Sequence, residues 1–365
     1  MVSVERLARS IVVDSLRPKP YEPVIISTYP HTIELAEQIN LECQKVGADP
    51  FMVLETDKTF YGQFKNFSEE NLRKVSAHCL GIADYARSYV YLGGPRDPGP
   101  MTRVPREKFA ALFEGEEAHH VKNLEKKPKT LGVALGPITR ERARVYGFNF
   151  AKWKKSVEDA IAVNYTRLQA SGSQAASLLG RPAEVRVTAD NGTDLRFKLA
   201  GEPRIPDVDD GVISDEDVAA GNTDASLPAG AVYVAPLEES AQGTFVSDAG
   251  IPQVGRVIEG LSWTFRDGRA VEFTAKRNLV AAQTGWEGAT GDRDRFATFA
   301  VGINPRAKPG FLQSIAVSGA VTIGIGDNRD LGGQNVSSYG FPGTLVHGTV
   351  EIGGKVVIDR GKWVA

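Results

Sequence analysis

"AEVRVTADNGTDLRFKLAG", residues 183–201, is where the chain changes character. Apolar and polar residues alternate, the alternation stops at Asn191-Gly192, and then it resumes. Alternate residues of a strand share one face, and Asn-Gly suits the left-handed backbone of a two-residue turn. The spacing therefore predicts a β-hairpin. Short alternating runs follow to the end of the chain: "GAVYVAP", "GTFVSDAG", "LSWTFRDGRAVEFTA", "ATFAVGI", "AVTIGIG" and "GTVEIGGKVVIDRGKW". Residues 181–365 read as a β-rich domain.

Upstream, the period is different. "PVIIST" and "DPFMVLET" read as strands. Between them, "HTIELAEQINLECQKVGA" places Ile33, Ala36, Ile39, Leu41 and Val46 at near-helical spacing and stops at Gly47. "SEENLRKVSAHCLGIA" reads as one helix opened by Ser68, and "PREKFAALFEGEEAHHVKNLEKK" as another, with "SYVYLGG" and "KTLGVALG" as further buried strands. "FAKWKKSVEDAIAVNYTRLQASGSQAASLL" reads as one long helix ending at Gly180-Arg181-Pro182. Strands alternating with helices predict a parallel sheet, so residues 1–180 read as an α/β domain. The acidic segment 202–230, with Asp207, Asp209, Asp210, Asp215, Glu216 and Asp217, reads as a solvated loop or lid; a calcium site is the sharper alternative, but EF-hand spacing is absent.

The chain has 365 residues, enough for two cores, and a net charge of −2, which gives no electrostatic case for nucleic acid or an anionic membrane. The first twenty residues carry charges through their apolar stretch and form no signal-peptide core. No later run reaches the roughly 20 apolar residues of a membrane span. A cytoplasmic protein is expected. Its two cysteines, Cys43 and Cys79, lack CxxC spacing and read as buried free thiols.

Five histidines are the first candidates for chemistry. His31 follows the first strand, at the carboxyl end of a parallel strand, where open sheets bind ligands; helix capping or packing is the plainer reading. His78 reads as structural. His119 and His120 point about 100° apart on a helix and do not easily hold one metal. His347 stands alone in the β-rich half. No GxxxxGK[ST], HExxH or GxSxG pattern occurs, and "GGPRDPGP" (93–100) lacks the glycine order of a dinucleotide loop. Ser337 and Ser338 have no base near them in sequence.

From "LPAGAVYVAPLEESAQGTFVSDAG" (227–250) onward, the sequence resembles the aminopeptidase S and aminopeptidase T family of metallopeptidases and the related dihydroxypyridine dioxygenases. The resemblance continues through "AVGINPRAKPG", "GAVTIGIGDNRDLGGQN" and "VEIGGKVVIDRGKW". It implies the aminopeptidase T-like fold and a homodimer. It also locates the family's metal ligands, and here they fall on residues that are not ligands: Ala231, Thr298, Thr322, Gly340 and Pro342. A hydrolytic site needs about three protein ligands. Ala and Gly offer no side-chain donor, and Thr is a poor one for zinc or iron.

What remains is polar: Glu238, Glu239, Asp327, Asn328, Asp330, Asn335, Ser337, Tyr339 and His347. Three readings follow. The first is a divergent homologue without the family's metal or any other cofactor, binding or converting a small molecule or peptide, with Asn335, Ser337, Tyr339, Thr298 and Thr322 as binding residues. The second is an active hydrolase whose divalent metal (zinc, manganese, magnesium or iron) has moved to a site built from His347, Glu238 and Asp327 or Asp330. The third is a non-catalytic subunit pairing with an active paralogue.

Overall fold

The computed structural model describes residues 3–364. The chain divides into two units, and they interleave. One runs to Ile161 and takes up Gly211–Ala229; the other is Ala162–Asp210 and Gly230 onward.

The first unit is built on a five-stranded, wholly parallel sheet. The second strand, Asp49–Leu54, lies at one edge, followed by the first, Pro23–Thr28, the third, Ser88–Tyr91, the fourth, Lys129–Val133, and finally Asp224–Leu227. Parallel strands bury both faces and so carry apolar residues throughout. Val24, Ile26, Val90 and Leu131 are fully buried. Helix Ile33–Lys45 packs with Val4–Arg9, while Arg106–Lys126 packs with Glu69–Arg73 and Ala77–Tyr85. The chain leaves the first strand in one direction along the sheet and returns to the other side of it for the third. That reversal opens a crevice at the carboxyl ends of the first and third strands.

The second unit stacks two antiparallel sheets. One has eight strands, among them the hairpin Ala183–Thr188 and Asp194–Leu199. The other has five, in the order Gly340–Leu345, Val321–Gly326, Phe296–Gly302, Ala231–Val234 and Asp207–Asp209. Strand alternation gives the five-stranded sheet two unlike faces. Phe299 and Phe341, on the apolar one, meet Phe197, Trp263 and Phe273 of the larger sheet, with rings 5.0 to 6.4 Å apart. Phe245, Trp263, Phe265, Phe296 and Phe299 are essentially inaccessible, and burial of each stabilises the unit by about 1.5–3 kcal/mol. A Cβ at Gly343 would lie 3.0 Å from the Phe245 ring, so nothing larger than glycine fits between the sheets without a shift.

Four local expectations need correction. Two single helices are each a pair. Ser76 caps a second helix after Glu69–Arg73, and Asn164 caps Tyr165–Leu179 after Phe150–Ile161. In both, a side-chain oxygen accepts the amide three residues on, so the backbone restarts instead of continuing. The segment 202–230 is not one loop: it holds strands Asp207–Asp209 and Asp224–Leu227 and helix Asp215–Ala220. Cys43 is buried, but Cys79 is exposed; both are free. Among the described residues, no helix is long and apolar enough to cross a membrane.

Candidate functional site

The polar face of the five-stranded sheet gathers the residues that sequence singled out as empty ligand positions. In an antiparallel pair, directly opposed residues point the same way. Thr298 opposes Gly324, which opposes Pro342; Gly326 opposes Gly340. Ala300 opposes Thr322 and Tyr233, and Gly302 opposes Ala231. Ala231, Thr298, Thr322, Gly340 and Pro342 therefore share one face. These residues are 111 positions apart in sequence at the extremes, yet pairing brings their strands side by side.

The same face carries two aspartates of the acidic segment that reads as a solvated loop or lid. Asp207 opposes Tyr233, and Asp209 opposes Ala231. The spacing of the two aspartates, two residues apart, was the available signal: on a strand it places both on one side. Burial raises the Tyr233 phenol above its ordinary range, and Asp209, Asp207 and Asp330 raise it further. The phenol is therefore a protonated hydrogen-bond donor at neutral pH. Pro342 and Gly340 are exposed and Thr298 is half-buried, so this end of the face is open. Thr322 is buried, and its hydroxyl lies 2.9 Å from that of Thr344.

These residues do not fit the metal that the resemblance implies. Three of the five positions have no side-chain donor, and Thr322 is committed to Thr344. Among the described residues, no group of three or more His, Cys, Asp or Glu could hold a metal ion.

Glu238 and Asp327 lie at one end of this sheet, and both are occupied. Glu238 is buried; its carboxylate accepts from Arg204 at 2.9 Å, from the Gln334 amide at 2.8 Å and from Asn328 at 3.2 Å. Burial raises its pKa, but the amides of Gln334 and Glu238 itself, with Arg204 and Asn328, outweigh that and hold it below the ordinary value. Asp327 accepts from Arg329 Nε at 2.6 Å and from the Ser337 amide at 3.2 Å. His347 lies past the far end of strand Gly340–Leu345, about 20 Å away along six residues. Its Nδ1 is 2.7 Å from Asp248, and the ring is largely exposed. Asp248 also accepts the amides of Val346 and His347, so the pair ties a turn. The structure does not bring His347 to Glu238 or Asp327.

The segment 332–339, which leads into strand Gly340–Leu345, is fixed chiefly by bonds to its neighbours. Asn335 is buried and donates to the carbonyls of Phe296 and Gly326, both at 3.0 Å, while its amide donates to Asn328 Oδ1. Ser337 donates to Thr290 O at 2.9 Å and accepts from the Tyr339 amide; Tyr339 donates to Ala282 O at 3.1 Å. A Cβ on Gly333 would lie 2.1 Å from Asn328 Cγ, so the loop closes over this side chain only through glycine. Asn335, Ser337 and Tyr339 thus hold the loop's shape, whereas Thr298 and Thr322 lie on the shared face.

Residues 150–287 match the model of the thermophilic metalloprotease family M29. Of the five positions, only Ala231 lies inside that stretch. Wild-type AmpT from Thermus thermophilus has the same fold: TM-score 0.75 at 18% identity, covering 99% of both chains. A 2,5-dihydroxypyridine dioxygenase from Pseudomonas putida KT2440 aligns with TM-score 0.63 at 13% identity, over 100% of this chain and 99% of its own. No curated protein matches by sequence. The chain thus resembles the metalloprotease family in sequence through its middle and AmpT in fold throughout.

Proposed function

We propose that this chain is a divergent aminopeptidase-family homologue that binds a small molecule or peptide on the polar face of the five-stranded sheet, without the family's metal chemistry. One observation carries the reading: the five positions converge on one face and supply only aliphatic groups, bare backbone and two hydroxyls. The scaffold that would gather ligands is intact and the ligands are replaced. The protonated Tyr233 phenol can donate to a bound molecule, and the negative charge that Asp209, Asp207 and Asp330 exert at this position favours a cationic group, such as an amine.

A second reading, a divalent cation at a relocated site, draws on Asp207 and Asp209 together on the same face. Two carboxylates suit a hard cation that keeps most of its water. The deciding experiment is metal content per chain by mass spectrometry, after soaking chelator-treated protein in zinc, manganese and iron(II) and desalting. The metal-free reading expects content far below one ion per chain. Near-stoichiometric metal, lost in Asp209→Asn, would overturn it in favour of the relocated site.

A further inference from the structure

The first unit contains a polar constellation of its own. It sits at the carboxyl ends of the first and third strands, where the sheet order reverses. Two glycines shape its floor. At Gly136, a Cβ would lie 1.7 Å from Leu92 O, and at Gly93, whose φ is +99°, 2.9 Å from Pro137 Cδ. The loops leaving the third and fourth strands therefore meet backbone to backbone. His31, just past the first strand, reaches across with Nε2 3.1 Å from Gly136 O. A carbonyl oxygen only accepts, so Nε2 carries the proton; Nδ1 is buried without a partner.

Over this floor lies the guanidinium of Arg142. Nε and Nη2 both donate to Pro95 O, at 2.9 and 2.7 Å. Nη2 is 3.4 Å from where a Gly94 Cβ would be, so the guanidinium lies directly against the glycine loop. That leaves Nη1 as the free prong of a fork already fixed in place; among the described residues, it has no acceptor within bonding distance. Each acidic group nearby bonds to another donor, although Glu141 Oε2 is left without a partner. Asp57 accepts the amides of Arg96 and Asp97, at 2.8 and 3.0 Å; Glu55 accepts from Tyr29; Glu141 pairs with Arg96; Asp97 accepts the Gly99 amide. Tyr61 donates to Asp97 O and flanks Arg142.

We infer that this crevice binds a small anion, a carboxylate or a phosphate group, on the open prong of Arg142. The argument joins three independent features. The reversal of strand order makes a crevice there. The glycines bring the loop backbone close enough to approach a ligand. A half-buried guanidinium, held rigid by two bonds to one carbonyl, keeps an unused donor in a planar geometry suited to an oxyanion. Asp57, Glu55, Glu141 and Asp97 bond to other donors, and none of them bonds to Arg142.

The test uses the full chain and three probes: inorganic phosphate, benzoate and adenosine monophosphate, titrated by calorimetry at low ionic strength. Binding of at least one is expected, with deuterium-exchange protection confined to peptides covering 93–97 and 139–146. Preference for benzoate or for the phosphates identifies the source of the anion. Arg142→Gln should weaken binding about tenfold or more, the effect of losing one charge-assisted hydrogen bond. Should that variant fail to fold, Arg142→Lys keeps the charge, loses the fork and should bind more weakly than wild type. No binding by any probe at millimolar concentration, protection mapping elsewhere, or unchanged affinity in the Arg142 variants each overturns the proposal.

Discussion

Glu238 separates a structural carboxylate from a catalytic one, and its removal is expected to cost stability. The side chains of Glu238 and Arg204 are both more than 90% buried, and Arg204 also donates to Pro236 O. Glu238→Ala removes three hydrogen bonds and strands the guanidinium in a dry site. Breaking one partner of a buried pair costs about 3–5 kcal/mol. For a unit of this size that lowers the melting temperature by about 10 °C. Glu238→Gln keeps an acceptor for the Gln334 amide and loses the charge, so a smaller loss of about 2 kcal/mol is expected. The pH dependence has a definite sign. The folded carboxyl lies below its ordinary value, so its contribution is present above the unfolded pKa of roughly 4.3 and fades as pH falls through the folded value. The wild-type-to-Ala difference should therefore shrink below about pH 4. Urea unfolding followed by tryptophan fluorescence at pH 7 and pH 3.5 measures both quantities. A cost below 1 kcal/mol at pH 7 with a large effect on ligand turnover would refute the reasoning and return Glu238 to the catalytic candidates.

Three further outcomes are expected. Thr322→Val leaves the Thr344 hydroxyl buried without its partner and should cost about 1–3 kcal/mol, whereas the double variant with Thr344→Val should recover most of it in thermal unfolding. Gly268→Ala places a Cβ 1.7 Å from Glu238 O at a φ of +73° and should lower stability by more than about 1 kcal/mol, read as the denaturation midpoint; a neutral result would mean that the hairpin turn can re-form. In the native protein at pH 8, iodoacetamide should modify the exposed Cys79 and leave Cys43, whose thiol burial pushes up to about 12; peptide mass mapping before and after denaturation reads the difference.

The sequence made the architecture readable because its signals are local. The alternation around Asn191-Gly192 lies within one hairpin, and the helix after His31 shows its period in thirteen residues. The helix breaks at Ser76 and Asn164 were harder to see, because the apolar pattern runs on and only one capping oxygen marks each restart. The site was legible as residue types and not as a place. Glu238 and Asn328 bond across 90 positions, and nothing in either neighbourhood announces the other. That Ala231 and Pro342 share a face follows from strand pairing and register, which are non-local. Asp207 and Asp209 were read as solvent-facing because an acidic, turn-rich segment surrounds a three-residue strand.

The path of the chain between the units bears on how the protein is made. The first unit's sheet ends with strand Asp224–Leu227, yet the chain has already entered the second unit at Ala162 and left it at Asp210 before making that strand. As the protein emerges from the ribosome, strand Lys129–Val133 waits with one edge unpaired through almost a hundred further residues, including a complete hairpin of the other unit. An uncovered parallel edge is open to pairing with other chains. Expression of the first unit by stopping at Ile161 would leave that edge bare permanently; a fragment that folds alone would need the segment 211–229 grafted back.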